Sequence, residues 1–156
     1  MDEQEIKYAG FWIRVAATMI DTALVVIVTL PLLVSIYGWS YFDPERSGFI
    51  AGPADFLISW VLPAVAVILF WIHRQGTPGK MLLALRIVDA SSGASLSLRQ
   101  GVVRYLGYFV SIVPLGMGLF WVAFDKRKQG FHDKLAHTVV VRSKQRGTEP
   151  VRLPHA

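Results

Sequence analysis

Long apolar stretches constrain the fold of this chain more than any other feature. Three of them cover residues 11–37, 56–72 and 102–124. A helix needs about 20 apolar residues to cross the hydrocarbon core of a bilayer, and each stretch is close to that length or longer. Over the whole chain 53% of residues are hydrophobic, 17% are charged and the mean hydropathy is +0.44. This balance argues against a soluble domain or a disordered chain and predicts an integral membrane protein.

Basic residues are distributed unevenly between the stretches. One lies in residues 1–10, one in 38–53, four in 74–101 and eight in 125–156. Because loops rich in Lys and Arg stay in the cytoplasm, loop 38–53 is expected outside and loop 74–101 inside. The acidic N-terminus does not look like a secretory signal, so the first stretch is expected to be retained. We expect a protein of the cytoplasmic (inner) membrane with both termini in the cytoplasm.

The third stretch does not have the pattern of a simple span. One crossing would export the eight basic residues that follow it, against the charge rule. Residues 114–118 contain a proline and two glycines and divide the stretch into pieces too short to cross alone. Such a break is typical of a re-entrant hairpin, which would return the tail to the cytoplasm. A single kinked crossing with an exported tail is the alternative.

Outside the stretches the sequence predicts a small cytoplasmic sheet. Residues 82–89 lead through Ala-Ser-Ser-Gly into residues 94–98, which predicts a β-hairpin. The β-rich residues 138–142 could add an edge strand. One domain is expected over residues 1–142, followed by a polar, disordered cytoplasmic tail over residues 143–156.

Local signals place several helix ends. Thr77 and Pro78 are typical of an N-cap and a first helical residue, and Ser97 can cap the helix that enters the third stretch. Pro63 predicts a kink in the second helix that frees the carbonyl of Ser59. The predicted fold is therefore an all-α membrane protein, a small bundle of two full spans and a broken third segment, with a small cytoplasmic sheet.

Two charged residues lie inside the first apolar stretch. At 100° per residue, Arg14 and Asp21 project about 20° apart on one helix face, with Thr18 between them. They are about 10.5 Å apart along the axis, which is long for a direct contact, so each needs another partner. Asp125 and Asp133 are the candidate partners of Arg14 at the cytoplasmic rim.

Asp21 is the stronger functional candidate of the two charges. It lies about 15 Å along the helix, near the midplane of a core about 30 Å thick, and its side chain is too short to reach the interface. Arg14 could reach the headgroups by snorkelling. Because intramembrane acids commonly bind protons or cations, Asp21, with Thr18 beside it, is the candidate ion- and proton-binding site. A buried packing role is the alternative.

Other chemistry has little support in the sequence. The chain has no cysteine, and His132, His137 and Asp133 lack the spacing of a metal site. Asp55 is expected to be a solvated cap. The sequence has no nucleophile elbow, no phosphate-loop pattern and no stripe of basic and aromatic residues, so we expect no enzyme activity, cofactor, metal or nucleic-acid partner. Anionic lipid headgroups explain the net charge of +5.

Three motifs follow one another along the chain: YAGFWIRVAATMID over residues 8–21, GTPGK with LRIVD over residues 76–89, and KRKQGFHDKLAHTVVV over residues 126–141. Together they resemble the RDD family of bacterial and archaeal membrane proteins. That family is named for one arginine and two aspartates, which fall here on Arg14, Asp21 and Asp133. His137 departs from the pattern, because the family more often has a small residue there. The resemblance implies a compact helix bundle with cytoplasmic termini and a transport function, with cation/proton antiport proposed for some members.

Two functional hypotheses follow. The first is a small transporter that exchanges protons for monovalent cations such as Na⁺ at Asp21, completed by homo-oligomerisation because the chain alone encloses little volume. The second is a non-transporting membrane adaptor or assembly protein, in which Arg14, Asp21 and Asp133 form a structural network. The second helix contributes only Ser59 and a possible free carbonyl as further intramembrane ligands.

Overall fold

Two apolar helical segments dominate the molecule. The computed structural model describes residues 6–45, 49–143 and 147–153. Helix α1 (Phe11–Tyr37) and the segment Pro53–Leu82 are each long and apolar enough to cross a membrane. Only 11% and 6% of their most apolar portions are buried within the protein. So large an exposed apolar surface is typical of a protein that packs against lipid.

The second segment is a succession of helical pieces. It contains α2 (Pro53–Phe56), a π-helical turn (Leu57–Val61), α3 (Leu62–Arg74) and α4 (Pro78–Leu82). The N–H group of Leu62 donates to the carbonyl of Leu57, five residues earlier. Pro63 follows at once, and its ring lacks an N–H and would crowd the carbonyl of Ser59 in a regular helix. The irregularity predicted at Pro63 therefore takes the form of a wider turn directly before it.

The third apolar stretch is broken where the sequence predicts. Helix α5 (Leu98–Ile112) is followed by α6 (Met117–Phe120) and a 3₁₀ turn, and the two helical pieces meet at an angle of 114°. Gly116 has φ +77°, a conformation that glycine adopts without steric cost. Ser97 caps α5 as expected, because its hydroxyl accepts the N–H of Gln100 at 3.2 Å.

The sheet differs from the predicted hairpin. Its strands are β1 (Lys7–Tyr8), β2 (Leu85–Asp89) and β3 (Thr138–Arg142), in the antiparallel order β1-β3-β2. Residues 94–97 form no strand, and β3 is central rather than at the edge.

A local cause explains the missing strand. The carboxylate of Asp89 accepts the N–H groups of Ser91 and Ser92 at 2.9 and 2.8 Å, which closes a tight turn. Only a short stretch separates that turn from the cap at Ser97. Instead, β2 pairs along its whole length with the five residues of β3, in which Val139, Val140 and Val141 are buried.

Strand pairing also determines where the third segment begins and ends. Residues 90–137 connect the end of β2 to the start of β3. Because Asp89 and Thr138 are paired in the sheet, both ends of this connection lie at one end of the bundle. We call this the sheet end. A single crossing would separate β2 from β3, so the pairing favours a re-entrant hairpin. Because β1 joins the same sheet, α1 also starts at the sheet end.

Part of the polar tail packs on the sheet. Within residues 147–153, Val151 is buried and its N–H donates to the carbonyl of Gly93 at 2.9 Å. Arg86 Nη2 donates to the carbonyl of Glu149 at 2.5 Å. These residues therefore make specific contacts where a disordered tail was expected. Residues 144–146 and 154–156 of that predicted tail lie outside the described residues.

Two glycines of α5 provide a test of the packing. A Cβ at Gly107 would lie 2.9 Å from the Cα of His132, a backbone atom of the helix that carries Asp133, whereas a Cβ at Gly101 would meet only side-chain atoms of Ile68 and Ile72, the nearest at 3.3 Å. We expect Gly107→Ala to lower the free energy of unfolding by about 1–3 kcal/mol because the helices must separate. Gly101→Ala, with the same gain in helix propensity, should be near neutral. Thermal unfolding in detergent measures both, and equal melting temperatures would contradict the close packing.

Candidate functional site

A buried carboxylate joins two arginines at the sheet end. Asp133 lies in α7 (Phe131–Leu135) and is completely buried. Its Oδ2 accepts Arg14 Nη1 at 2.6 Å and the backbone N–H of Gly130 at 2.9 Å, and its Oδ1 accepts Arg104 Nη1. We call Arg14, Arg104 and Asp133 the arginine cluster. It connects α1, α5 and α7.

All three guanidinium nitrogens of Arg14 donate hydrogen bonds within the protein. Its Nε donates to the carbonyl of Ala9 at 3.0 Å and its Nη2 to the carbonyl of Lys128 at 2.5 Å. The residue is 9% exposed. The alternative in which Arg14 snorkels to the headgroups is therefore wrong, and of its two candidate partners, Asp133 is the one it contacts.

Arg104 is the site residue that sequence reasoning missed. It is fully buried, and besides Asp133 it contacts the hydroxyl of Thr138 at 2.5 Å. Its guanidinium lies over the rings of Trp71 and Tyr108, at 5.2 and 5.9 Å from their centroids. A signal was present, because Arg104 interrupts the third apolar stretch as Arg14 interrupts the first. The reasoning applied to Arg14 would have found it.

The arginines keep Asp133 ionised. Burial is the largest effect on this carboxyl and by itself raises the pKa. The charges of Arg104 and Arg14, followed by His132 and the N–H of Gly130, outweigh burial and hold the pKa of Asp133 well below its usual range. The arginine cluster thus contains two cations and one anion.

His132 is buried beside this cluster in its neutral form. Burial lowers its pKa to about 3; Asp133 opposes the shift, and Arg104 and Arg14 add to it. The ring stacks on Tyr108 with centroids 4.1 Å apart. A neutral, stacked imidazole is a packing element rather than a proton carrier at ordinary pH.

Ser111, His132 and Asp133 lie close together without forming a nucleophile. Ser111 Oγ is 3.4 Å from His132 Nδ1, but it donates to the carbonyl of Gly107 at 2.8 Å and accepts the backbone N–H of His132 at 3.2 Å. Ser111 is also completely buried. No group of three or more potential metal ligands occurs within residues 6–45, 49–143 and 147–153.

Asp21 belongs to a second cluster, separate from the first. Its Oδ1 accepts the backbone N–H of Gly79 at 2.7 Å, and its Oδ2 accepts the hydroxyl of Thr77 at 2.5 Å. Lys80 Nζ lies 3.8 Å from Oδ2 and 3.4 Å from Thr77 Oγ1. We call Asp21, Thr77, Gly79 and Lys80 the aspartate–lysine cluster. Among the described residues, no hydrogen bond or ion pair joins Asp21 to Arg14 or Asp133, so the predicted three-residue network is divided in two.

The partners of Asp21 lie in α4 and directly before it, at the C-terminal end of the second apolar segment rather than in its middle. A glycine is required for this approach, because a Cβ at Gly79 would lie 2.3 Å from the carbonyl oxygen of Ala17 and 2.9 Å from the Cγ of Asp21. Helix α1 is about 40 Å long, more than a hydrocarbon core of about 30 Å, so its first turns can stand outside that core.

Thr18 and Asp55 have other surroundings than those predicted. Thr18 is exposed, and its hydroxyl donates to the carbonyl of Arg14 at 2.9 Å rather than to Asp21. Asp55 is 5% exposed and so is not a solvated cap. It accepts the N–H of Ala51 at 2.8 Å, the hydroxyl of Ser59 at 2.7 Å and the hydroxyl of Tyr41 at 3.1 Å, because the loop after α1 folds over it.

Comparison with known proteins identifies the family. The model of the RDD family matches residues 8–137, which include both clusters. The chain therefore belongs to the RDD family, and it is a membrane protein. No significant match to a solved structure was found.

Curated relatives come from several bacteria. The chain is 31% identical to YteJ, an uncharacterized membrane protein of Bacillus subtilis, over 88% of this chain and 82% of that protein. It is 33% identical to YckC of the same organism, over 86% and 84% of the two chains. It is 37% identical to RP437 of Rickettsia prowazekii over 76 residues, 49% of this chain and 42% of that protein.

The arginine cluster predicts a large stability effect. Asp133→Asn removes the only anion of the cluster and leaves two buried guanidinium groups without a counter-charge. We expect a loss of about 3–5 kcal/mol in the free energy of unfolding. The exposed Asp43→Asn is the control and should stay within about 0.5 kcal/mol. Denaturant unfolding in detergent compares the two, and similar midpoints would show that Asp133 has no such structural role.

His132 predicts a pH dependence. Its pKa is about 3 in the folded protein and about 6.5 in the unfolded chain, so the unfolded state binds one more proton between these values. Stability should therefore fall as pH decreases below about 6.5, by up to about 1.4 kcal/mol per pH unit. His132→Phe, which keeps a stacked ring, should flatten this slope between about pH 6.5 and 5. The exposed His73→Phe should retain it, and a flat wild-type profile would contradict the assignment.

Proposed function

We propose that this RDD protein is a small transporter that exchanges protons for monovalent cations such as Na⁺, with Asp21 as the shared site. The separation of 3.8 Å between Lys80 Nζ and Asp21 Oδ2 carries the proposal. The side chain of Asp21 also remains 17% exposed, in contrast with that of Asp133. A partly accessible carboxylate with a loosely held counter-ion is suited to exchange.

The chemistry follows from competition for the same oxygens. A proton on Asp21 or a monovalent cation beside it would each neutralise the carboxylate, and the two cannot occupy the same oxygen together. Lys80 serves as the resident counter-ion when neither is bound. Thr77 adds a hydroxyl oxygen next to Oδ2, and oxygen is the ligand that hard cations prefer.

The proposal also includes the orientation of the protein in the membrane and its contacts with lipid. The excess of Lys and Arg after the second span supports a cytoplasmic sheet end with both termini inside, and a third segment that re-enters from that side. The basic residues of this end would contact anionic lipid headgroups. Two spans and a hairpin enclose little volume, so we propose that a homo-oligomer completes the path.

One observation favours the second hypothesis, a non-transporting adaptor or assembly protein. Both oxygens of Asp21 already accept short hydrogen bonds, from Thr77 and from Gly79. On the second hypothesis, these two hydrogen bonds hold α4 against α1 and Asp21 has no part in exchange. On that view the arginine cluster and the aspartate–lysine cluster are two structural connections, and the basic surface binds lipid or a protein partner.

Proteoliposomes with an internal pH dye distinguish the two functions. A Na⁺ pulse should move protons with the wild type and not with Asp21→Asn, since the amide neither exchanges a proton nor provides the negative charge. Asp43→Asn is the matched control, because the same change is made at an exposed position, and it should keep the wild-type rate.

Thermal unfolding of the same preparations separates transport from folding. A folded Asp21→Asn variant without proton movement supports the exchanger. Proton movement that is equal in wild type and Asp21→Asn, or absent from both, refutes it. If the wild type does not move protons and Asp21→Asn melts well below wild type, the structural function is supported instead.

A further inference from the structure

One edge of the completely buried guanidinium of Arg104 has no hydrogen-bond partner in the part of the chain that the structure describes. Arg104 uses Nη1 for its hydrogen bonds to Asp133 and to Thr138, and its guanidinium also lies over the rings of Trp71 and Tyr108. Its Nε and Nη2 have no hydrogen-bond partner among the described residues, and neither has the nearby indole Nε1 of Trp71. Arg104 is 0% exposed and Trp71 is 2% exposed. Arginine and tryptophan side chains are donors only, so each of these N–H groups requires an acceptor.

The shape of the free edge indicates the class of acceptor. The N–H bonds of Nε and Nη2 run parallel on one side of the guanidinium plane, and such a pair fits two oxygens of one oxyanion. Trp71 lies under the same guanidinium, with its ring centroid 5.2 Å from the Arg104 Cζ. Three N–H donors are thus carried by two side chains in contact at the junction of α3 and α5.

Charge balance favours an anion over a neutral acceptor. Arg14 and Arg104 supply two positive charges to the arginine cluster and Asp133 supplies one negative charge, while His132 is neutral. Within the described residues, one positive charge of this largely buried cluster has no counter-charge in contact with it. A buried charge is costly unless it is paired, and a water molecule would satisfy the N–H groups without supplying the charge.

We propose that Arg104 and Trp71 bind a small monovalent oxyanion, of the size of formate or nitrate, enclosed between α3 and α5. The complete burial of Arg104 restricts the ligand to a few atoms and excludes a lipid headgroup that remains part of the bilayer. The anion completes the charge balance of the arginine cluster and stabilises the contact between these helices. The site is separate from Asp21, so it does not depend on the proposed exchange activity.

Anion-dependent stability of the full-length protein in detergent tests this site. Melting temperatures are measured against formate, nitrate and chloride at constant ionic strength, with formamide as a neutral acceptor of similar size. We expect a saturable rise with formate and nitrate, a smaller rise with chloride, and none with formamide. Saturation distinguishes binding at a site from a general effect of salt.

Two tryptophan variants locate the effect. Trp71→Phe keeps an aromatic ring beneath Arg104 and removes only the indole N–H, so the formate concentration at half-saturation should increase by about ten- to a hundredfold, the equivalent of one hydrogen bond to a charged group. Trp39→Phe changes an indole that is 81% exposed and should leave this concentration unchanged. Equal half-saturation in the two variants, a rise that does not depend on the identity of the anion, or an equal response to formamide would each overturn the proposal.

Discussion

The contact of Asp133 with Arg14 and Arg104 is the interaction on which the rest of the structure depends. It joins α1, α5 and α7, three elements that are far apart in sequence, through one fully buried carboxylate. Ion pairs gain strength when water is excluded, but only if each charge is compensated and each donor has an acceptor. Breaking the contacts of Asp133 would leave buried guanidinium groups without this counter-charge, which costs about 3–5 kcal/mol.

The aspartate–lysine cluster has a different physical character. Lys80 lies 3.8 Å from Asp21, and the two side chains are 8% and 17% exposed. Water and small ions can approach such a pair at a lower cost than they can approach the arginine cluster. Asp133 and Asp21 thus occupy unlike environments. One is suited to hold helices together, and the other is the better candidate for exchange.

Local patterns in the sequence predicted the helical framework well. The break predicted from Pro114, Gly116 and Gly118, the cap at Ser97 and the disturbance at Pro63 each depend on neighbouring residues alone, and each is present. The strand partner of β2 was predicted wrongly, since β3 is about 50 residues away and no local pattern encodes that pairing. Arg104 was overlooked because it lies among apolar residues near the start of the third apolar stretch.

The sequence by itself determined that this is a membrane protein with two long apolar helical segments, a broken third segment and charged residues within its apolar helices. Those properties follow from hydropathy, from Pro and Gly, and from the cost of placing charge in hydrocarbon. Only the tertiary structure decided which charges meet. Arg14 contacts Asp133 and Asp21 contacts α4. A hydrogen bond acts over about 3 Å in space, whatever the distance between its atoms along the chain, so the sequence does not show which groups meet. Spacing along one helix could place Arg14 and Asp21 on the same face, but it could not show that each faces a different neighbour.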